Sequence, residues 1–493
     1  MWKRCYHTLA GAGEGVDGHL SPSPRRQMVR YHEARKGACV ITRRSDRRGT
    51  CLTISGVVFL LTMAACAGAP EPPPRSHPNI LLVSLDTLRA DHLGAYGYPR
   101  PTSPYLDSLA ASGVRFADVM TPSTTTRLAH RAILKGLPAA AGREQGVPLA
   151  VRLSAAGYTT AAFVDGGFMR ARFGHAKGFD LYVDDLAEAA PAGARPVADR
   201  LGGGFEVILP RARQWLDGAG DAPWFLFLHT YDIHCPYQPP GEDARPFTGG
   251  RDEPLDVAGL CGKEDLTGMD LTGDQLAWVR DLYDGGIHHT DRLLGEFMGE
   301  LAARGMLENT IVAVIADHGE SLGEDGLFGH NLLRREQMFV PWILAGPGVP
   351  VGRVVDGPVH LEDLVPTLMD YAGVPVQEET AGQSLRAVVA GKETLAEDRL
   401  RVCETRAARA LVRGPWKLIM AGDDGRVLHF GRFDGTLAPE VDEQEKESIR
   451  ADLLDGWQAL VERLDLPATG LDEADIPGAG AVRRELRTLG YVD

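Results

Sequence analysis

Four short runs in which almost every position is apolar punctuate the chain: 80–85 (ILLVSL), 161–164 (AAFV), 224–228 (WFLFL) and 311–316 (IVAVIA). A run that does not alternate apolar with polar residues fits a strand buried on both faces, the condition of a parallel sheet. Between the runs, apolar residues recur at helical spacing over 103–112 and over the long stretch 274–304. Strands alternating with helices predict an α/β domain with a mostly parallel sheet sandwiched by helices. Beyond residue 400 the pattern changes. RALVRGPWKLIMAGDDGRVLHF sets the turn pairs Gly414-Pro415 and Asp424-Gly425 between apolar stretches, which predicts a small antiparallel sheet. A charged helix over 443–464 and a tail broken by Gly and Pro follow, with no internal repeat.

The chain has 493 residues, 44% hydrophobic and 24% charged, enough for one large core and a smaller attached unit. Charge separates the two ends. Residues 1–65 hold 11 Lys/Arg against 4 Asp/Glu, net +7, so the other 428 residues carry −22 of the overall −15. An acidic body of that size cannot release counterions from a phosphate backbone, so no nucleic acid partner is expected. Arg43, Arg44, Arg47 and Arg48 precede an uncharged run over 51–65 (CLTISGVVFLLTMAA) and then Cys66. About fifteen apolar or small residues fall short of a membrane span of roughly 20 and fit the apolar region of an export signal. Ala64 and Ala65 directly before Cys66 resemble a bacterial lipobox, so an exported protein held at a membrane by a lipidated Cys66 is expected; an ordinary signal peptide cleaved nearby is the alternative.

The expected organisation is therefore a leader and signal over 1–65, a Pro-rich tether over 66–78, a main domain over 79–395, a small α+β subdomain over 396–465 and a tail over 466–493. Only Cys235, Cys261 and Cys403 lie in the body. They are too few for a disulfide framework, although a Cys235–Cys261 bridge is permitted in an oxidising compartment. The oligomeric state is left open.

Ligands of open α/β sheets bind beyond the carboxyl ends of the strands, so polar residues that follow a buried run are examined first. The first run ends in Asp86 and the last in Asp317-His318. Two carboxylates and an imidazole at strand ends make a candidate oxygen/nitrogen site for a divalent metal, although an aspartate there is also a common helix cap. Thr124, Thr125 and Thr126 precede the helical AHRAILKG, where a hydroxyl gains from the positive end of the helix dipole; a simple N-cap is the alternative. Gly319-Glu320-Ser321-Leu322-Gly323 satisfies G-x-S-x-G, but Ser321 comes too far after its strand for a nucleophile elbow, so an esterase is the weaker reading.

In order, PNILLVSLDTLRADHLGAYGYPRPTSPYLDSLAASGVRF, TTTRLAHRAILKG, AAFVDGGFMRARFGHAKGFDLY, WFLFLHTYDIHCPYQPP, YDGGIHHTDRLLGEF, IADHGESLGEDGLFGH and HLEDLVPTLMDYAGVP resemble the sulfatase family of the alkaline phosphatase superfamily over about residues 78–390. The resemblance implies an alkaline-phosphatase-like fold and an anionic ester substrate. It implies that Asp86, Asp317 and His318 hold one divalent metal, with Thr126 at the nucleophile position and His130 at the last position of the same five-residue motif. It also implies that His234 and His330 contact the substrate or its leaving group, with His229 and Asp232 behind them. His288 and His289 fall on a helix, where a surface or core role is expected.

Three departures shape the chemistry. Sulfatases make formylglycine from Cys or Ser in a C/S-x-P-x-R pattern; the chain reads Thr126-Arg127-Leu128-Ala129-His130, and threonine cannot give that aldehyde, so no formylglycine is expected. Asp86-Thr87 stands for the usual Asp-Asp and Asp317-His318 for the common Asp-Asn. One carboxylate fewer and one imidazole more disfavour Ca and favour Zn or Mn. The expected activity is hydrolysis of phosphoric or sulfuric esters through a threonine activated by the metal, with phosphoric esters favoured. A phosphoryl-headgroup transferase and a non-catalytic binding protein are the alternatives.

Overall fold

The computed structural model describes residues 77–184, 203–261, 271–376, 379–406, 408–421, 425–433 and 442–467. The leader, the export signal, the lipobox at Cys66, most of the tether and all but the start of the tail lie outside them. The strands in chain order are β1 (Asn79–Leu85), β2 (Val114–Met120), β3 (Thr159–Val164), β4 (Leu181–Val183), β5 (Trp224–Thr230), β6 (Thr310–Ile315), β7 (Ser321–Leu322), β8 (Phe328–Gly329), β9 (Trp342–Ala345), β10 (Arg353–His360), β11 (Arg401–Glu404), β12 (Ala408–Arg413), β13 (Trp416–Ala421) and β14 (Val427–Arg432). The α-helices are α1 (Pro104–Ser112), α2 (Thr126–Ile133), α3 (Leu149–Ala155), α4 (Gly204–Asp217), α5 (Gly241–Thr248), α6 (Gly273–Ala303), α7 (Arg335–Met338), α8 (Leu364–Ala372), α9 (Arg386–Val389) and α10 (Glu443–Leu464). Among the described residues no helix is long and apolar enough to cross a membrane.

The main sheet has eight strands in the order β10-β2-β9-β6-β1-β5-β3-β4, and only β9 runs against the others. Every residue of β1, β5 and β6 is buried, as continuous apolar runs require when both faces are covered. These three strands are neighbours, with β1 in the middle, so the polar residues at their carboxyl ends are brought together. The outermost strand β10 and its neighbour β2 escape a search for uninterrupted apolar runs because each carries charged positions.

The small sheet β11-β12-β13-β14 is antiparallel, and its alternation sorts two cores. Ala410 and Val412 pack with Met120, Met338 and Cys403, while Leu411 and Leu418 pack with Leu453, Trp457 and Leu464 of α10. One face therefore rests on the main sheet and the other carries the C-terminal helix.

The long helix α6 starts at a capping box between Thr272 and Gln275. Its Gly285 and Gly286 are a local weakness in a helix, yet a Cβ at 285 would come within 3.0 Å of Ala244 and Pro239, and one at 286 within 3.3 Å of the Asp232 carbonyl. The pair lets α6 close on the loop after β5. One turn further on, His288 and His289 each present Nδ1 to Asp243 of α5, at 3.1 and 2.8 Å, and Arg292 adds Nε and Nη2 at 3.2 and 3.0 Å. Both histidines are thus helix-pairing residues. Burial pushes the Asp243 carboxyl up, but the hydrogen bonds from Arg292 and His289 outweigh it and hold the pKa down at about 2.

A folded pKa below the unfolded value of roughly 3.9 gives a contribution that is complete above pH 4 and is lost as pH falls through about 2. Asp243→Asn is expected to cost about 2 kcal/mol at pH 7. The gap between the two denaturation midpoints should close on acidification from pH 4 to pH 2. A gap that stays constant would show that the carboxylate charge is not what ties α5 to α6.

Candidate active site

Asp86 follows β1 directly, Asp317 and His318 follow β6, and the segment from His229 to His234 ends β5. Thr126 arrives from β2 through the loop 121–125. That loop is pinned at its start: the Thr121 hydroxyl donates to the Asp317 carbonyl, and the Glu404 N–H donates to the Pro122 carbonyl at 2.9 Å. Thr126 is the first residue of α2, and no side chain caps that turn, which leaves its first N–H groups to the cleft.

The Thr126 hydroxyl donates to His318 Nε2 at 3.3 Å and accepts from the Tyr231 hydroxyl at 3.3 Å. Asp86, Asp317 and His318 each offer one ligand atom, and these atoms lie within 4.8 Å of one another. Asp86 Oδ1 and Asp317 Oδ2 are buried and accept no hydrogen bond. Burial, then the neighbouring Asp317 and Glu320, push the Asp86 carboxyl well above its ordinary range; burial also raises Asp317. Burial holds His318 down at about 3, so its imidazole is neutral. Arg89, whose guanidinium reaches the Glu320 carbonyl at 3.1 Å, is engaged by Asp91 and Glu324. Two buried carboxylates with bare oxygens and a neutral imidazole fit a divalent cation.

The other candidates take distinct places. His130 is fully buried behind Thr126: its Nδ1 donates to the Thr126 carbonyl at 2.9 Å and its Nε2 accepts from Ser84 at 3.0 Å, so both ring nitrogens serve the first turn of α2. His229 donates Nδ1 to the Asp165 carbonyl and turns Nε2 to Asp86 Oδ2 at 3.2 Å. Asp232 accepts from the Phe205 N–H at 2.8 Å and from Thr230, which places it at the start of α4. His234 and His330 face each other, with Nε2 atoms 3.3 Å apart and Nδ1 donated to the carbonyls of Cys235 and Thr124. A Cys235–Cys261 disulfide ties the backbone next to His234. Ser321 donates to Glu336 at 2.7 Å and accepts from Gln337 at 2.8 Å, with no imidazole on it, so the G-x-S-x-G block forms no nucleophile elbow.

Several contributors went unread in the sequence. Ser84 was visible as the single polar residue of the first apolar run. Thr87 adopts φ +58°, unusual for a β-branched residue, and turns its hydroxyl back to the Asp86 carbonyl while its N–H reaches Asp317 Oδ1 at 3.4 Å. Tyr283 of α6 holds that conformation by donating to the Thr87 carbonyl at 2.7 Å and accepting from the Arg89 N–H at 2.9 Å. Glu320 is buried and pushed up to about 8 by burial, with Tyr237 and Arg89 opposing.

Residues 78–374 match the sulfatase family model. The chain belongs to the sulfatase family. It is an ester hydrolase of that family, whose members are metal-dependent. An arylsulfatase of Clostridium perfringens is 25% identical over 379 residues, spanning 63% of this chain and 78% of that protein. A choline-sulfatase of Rhizobium meliloti is 26% identical over 420 residues, spanning 71% of this chain and 80% of that protein. Among solved structures, the phosphonate monoester hydrolase of Agrobacterium radiobacter superposes with a TM-score of 0.63 at 18% identity, covering 78% of this chain and 96% of that one, a likeness of fold.

A cation bound only by the folded sulfatase must stabilise it. Zn or Mn added to chelator-stripped protein at a hundred times its Kd should raise stability by about 2.7 kcal/mol. Asp86→Asn should abolish that gain, yet stripped Asp86→Asn should be at least as stable as stripped wild type, because it removes a buried charge. Thermal melts with and without metal give both comparisons; a stripped variant that melts well below stripped wild type would contradict the charge argument.

Proposed function

We propose that this sulfatase-family protein hydrolyses phosphoric or phosphonic esters through Thr126 as a covalent nucleophile. The carrying observation is the position of Thr126 Oγ1, at the uncapped start of α2 and 3.3 Å from His318 Nε2, in a family whose sulfate chemistry needs an aldehyde that threonine cannot form. Phosphonate monoester hydrolases stand beside sulfatases among the similar folds, so the fold accommodates phosphorus esters as well as sulfate esters.

Asp86, Asp317 and His318 would hold a single divalent ion, Zn or Mn by the donor set, which when bound supplies Lewis acidity toward a non-bridging oxygen and toward the Thr126 hydroxyl. The protein residues do the rest. His318 Nε2, the ring atom left to ligate the ion, lies 3.3 Å from Thr126 Oγ1 and so holds that hydroxyl beside the cation site. The N–H groups at the start of α2, where no side chain caps the helix, would receive the non-bridging oxygens of the ester. His130 keeps that turn in place through the Thr126 carbonyl. His234 and His330, with both Nδ1 protons committed to carbonyls, share at most one proton between their Nε2 atoms, and that proton serves the departing oxygen. Water then resolves the phosphoryl-threonine; an alcohol in its place would make the same site a headgroup transferase.

Export and a lipid anchor at Cys66 belong to the same reading. The Cys235–Cys261 bridge supports an oxidising compartment, where an anchored hydrolase would meet esters outside the cytosol.

The test is turnover of p-nitrophenyl phosphate, bis-p-nitrophenyl phosphate, p-nitrophenyl phenylphosphonate and p-nitrophenyl sulfate by stripped protein after add-back of Zn, Mn or Ca. Phosphorus esters should be turned over fastest, with Thr126→Ala at least about 10³-fold slower. Ser321→Ala should stay within about threefold of wild type and lose about 1 kcal/mol of stability through its bonds to Glu336 and Gln337. Preference for the sulfate, or full activity of Thr126→Ala, would overturn the proposal.

A further inference from the structure

We propose that Tyr231 is a catalytic residue whose phenol stabilises Oγ1 of Thr126 as that oxygen leaves phosphorus in the second half of the reaction. The inference rests on Thr126 being the nucleophile. A formylglycine hydrate carries a second hydroxyl, whose deprotonation expels the ester oxygen by carbon–oxygen cleavage. A threonine ester has no such route. Its phosphorus–oxygen bond must break to leave an alkoxide on Oγ1, a poor leaving group unless a donor already points at it.

Two side-chain groups lie 3.3 Å from Oγ1, and they differ in kind. His318 Nδ1 bonds the Gly319 carbonyl at 3.0 Å; a carbonyl only accepts, so the ring proton sits on Nδ1 and Nε2 is an acceptor. The Tyr231 hydroxyl is the donor. Its ring is held from several directions. It stacks on His234 with centroids 4.7 Å apart and planes 9° off parallel, and meets the edge of His229 at 5.3 Å. Gly166, at φ +94°, closes the pocket: a Cβ there would lie 2.5 Å from the Tyr231 ring, so glycine is what admits the phenol. Tyr231 is 1% exposed, which keeps competing water away from the hydrogen bond.

The step balances without any further reactant. The oxygen of water bonds to phosphorus and the phosphorus–Oγ1 bond breaks. Its electron pair goes to Oγ1, where the Tyr231 O–H meets it, and the proton released by the attacking water ends on Oγ1. Free Thr126 and phosphate or phosphonate result. In the first half of the cycle the hydrogen bond is already made before attack and p-nitrophenolate is a good leaving group, so its loss slows ester formation far less than ester breakdown.

Tyr231→Phe keeps the ring and removes the donor. With bis-p-nitrophenyl phosphate, kcat is expected to fall about 10²-fold, with kcat/KM within about threefold of wild type. The first turnover should appear as a burst of p-nitrophenol equal to the enzyme concentration. Acid-quenched Tyr231→Phe should carry one phosphoryl adduct on the peptide containing Thr126 by mass spectrometry, which wild type does not accumulate. A wild-type kcat, or a slow variant with neither burst nor adduct, overturns the proposal. If the Phe variant does not fold, 3-fluorotyrosine at 231 decides: a stronger donor of the same shape should raise kcat, and an unchanged or lower kcat overturns the proposal. Thr126→Ala run alongside separates the two claims: activity there overturns both, whereas an inactive Thr126→Ala beside a Tyr231→Phe with wild-type kcat overturns the role of Tyr231 alone.

Discussion

Asp86 and Asp317 end adjacent strands of a parallel sheet and are buried side by side, and the rest of the cleft answers that constraint. Around them five imidazoles share one habit: each turns Nδ1 to a main-chain carbonyl, His130 to Thr126, His229 to Asp165, His234 to Cys235, His318 to Gly319 and His330 to Thr124. A carbonyl accepts only, so each of these rings when neutral carries its proton on Nδ1 and presents a lone pair on Nε2. Burial keeps His130, His229, His318 and His330 from acquiring a second proton. A pocket lined by bare carboxylate oxygens and imidazole lone pairs suits a cation, and a bound cation would give an acidic protein affinity for an anionic ester. The chain-wide charge of −15 and an anionic substrate are thereby compatible.

The same constraint explains the scaffolding. Thr87 holds a left-handed backbone conformation because its N–H must reach Asp317 while its carbonyl meets Tyr283, and a residue of that shape in that conformation costs roughly 1–3 kcal/mol. The strain is local; its restraint is not. Tyr283 comes from α6, which reaches the site because Gly285 and Gly286 let it lie against the loop after β5. From the opposite end of the chain, Glu404 of β11 is buried with Arg409 at 2.6 Å and the Ala140 N–H at 2.5 Å, and its own N–H holds Pro122 two residues past β2. Lys417 of β13 holds the Leu333 carbonyl at 3.2 Å, close to His330. The small sheet is therefore the outer wall of the nucleophile loop and of the His330 loop.

The features set by local pattern were legible in the sequence. Runs apolar at every position gave the inner strands β1, β3, β5 and β6 to within two residues, and the 443–464 helix has the bounds its charge pattern predicts. Strand ends gave Asp86, Asp317 and His318 together, because a parallel sheet delivers its carboxyl termini to one edge. Illegible features depend on partners distant in sequence. Nothing local says that Tyr231, read only as part of a block, meets Thr126 across 105 residues, or that His130 turns its ring back on Ser84. The antiparallel strand β9 between β2 and β6 has no marker of direction in its four residues, since direction is decided by the connections on either side.

The three departures from the family pattern belong to one electrostatic change. In the proposed mechanism a threonine nucleophile must lose a proton that a hydroxyl holds strongly, and a bound cation would help only with the part of its charge that its ligands leave uncancelled. Thr87 in place of a carboxylate removes one unit of that cancellation, and its side chain, turned to the Asp86 carbonyl, adds none back. His318 in place of an amide supplies a stronger neutral donor, so the ion is held without further negative charge. With two carboxylates the site would keep a divalent ion while a third negative charge formed on Oγ1, as the proposed threonine mechanism requires. A Thr nucleophile beside a three-carboxylate site would face more repulsion from the ligands, which is why Thr126, Thr87 and His318 make chemical sense as a set under the proposed mechanism.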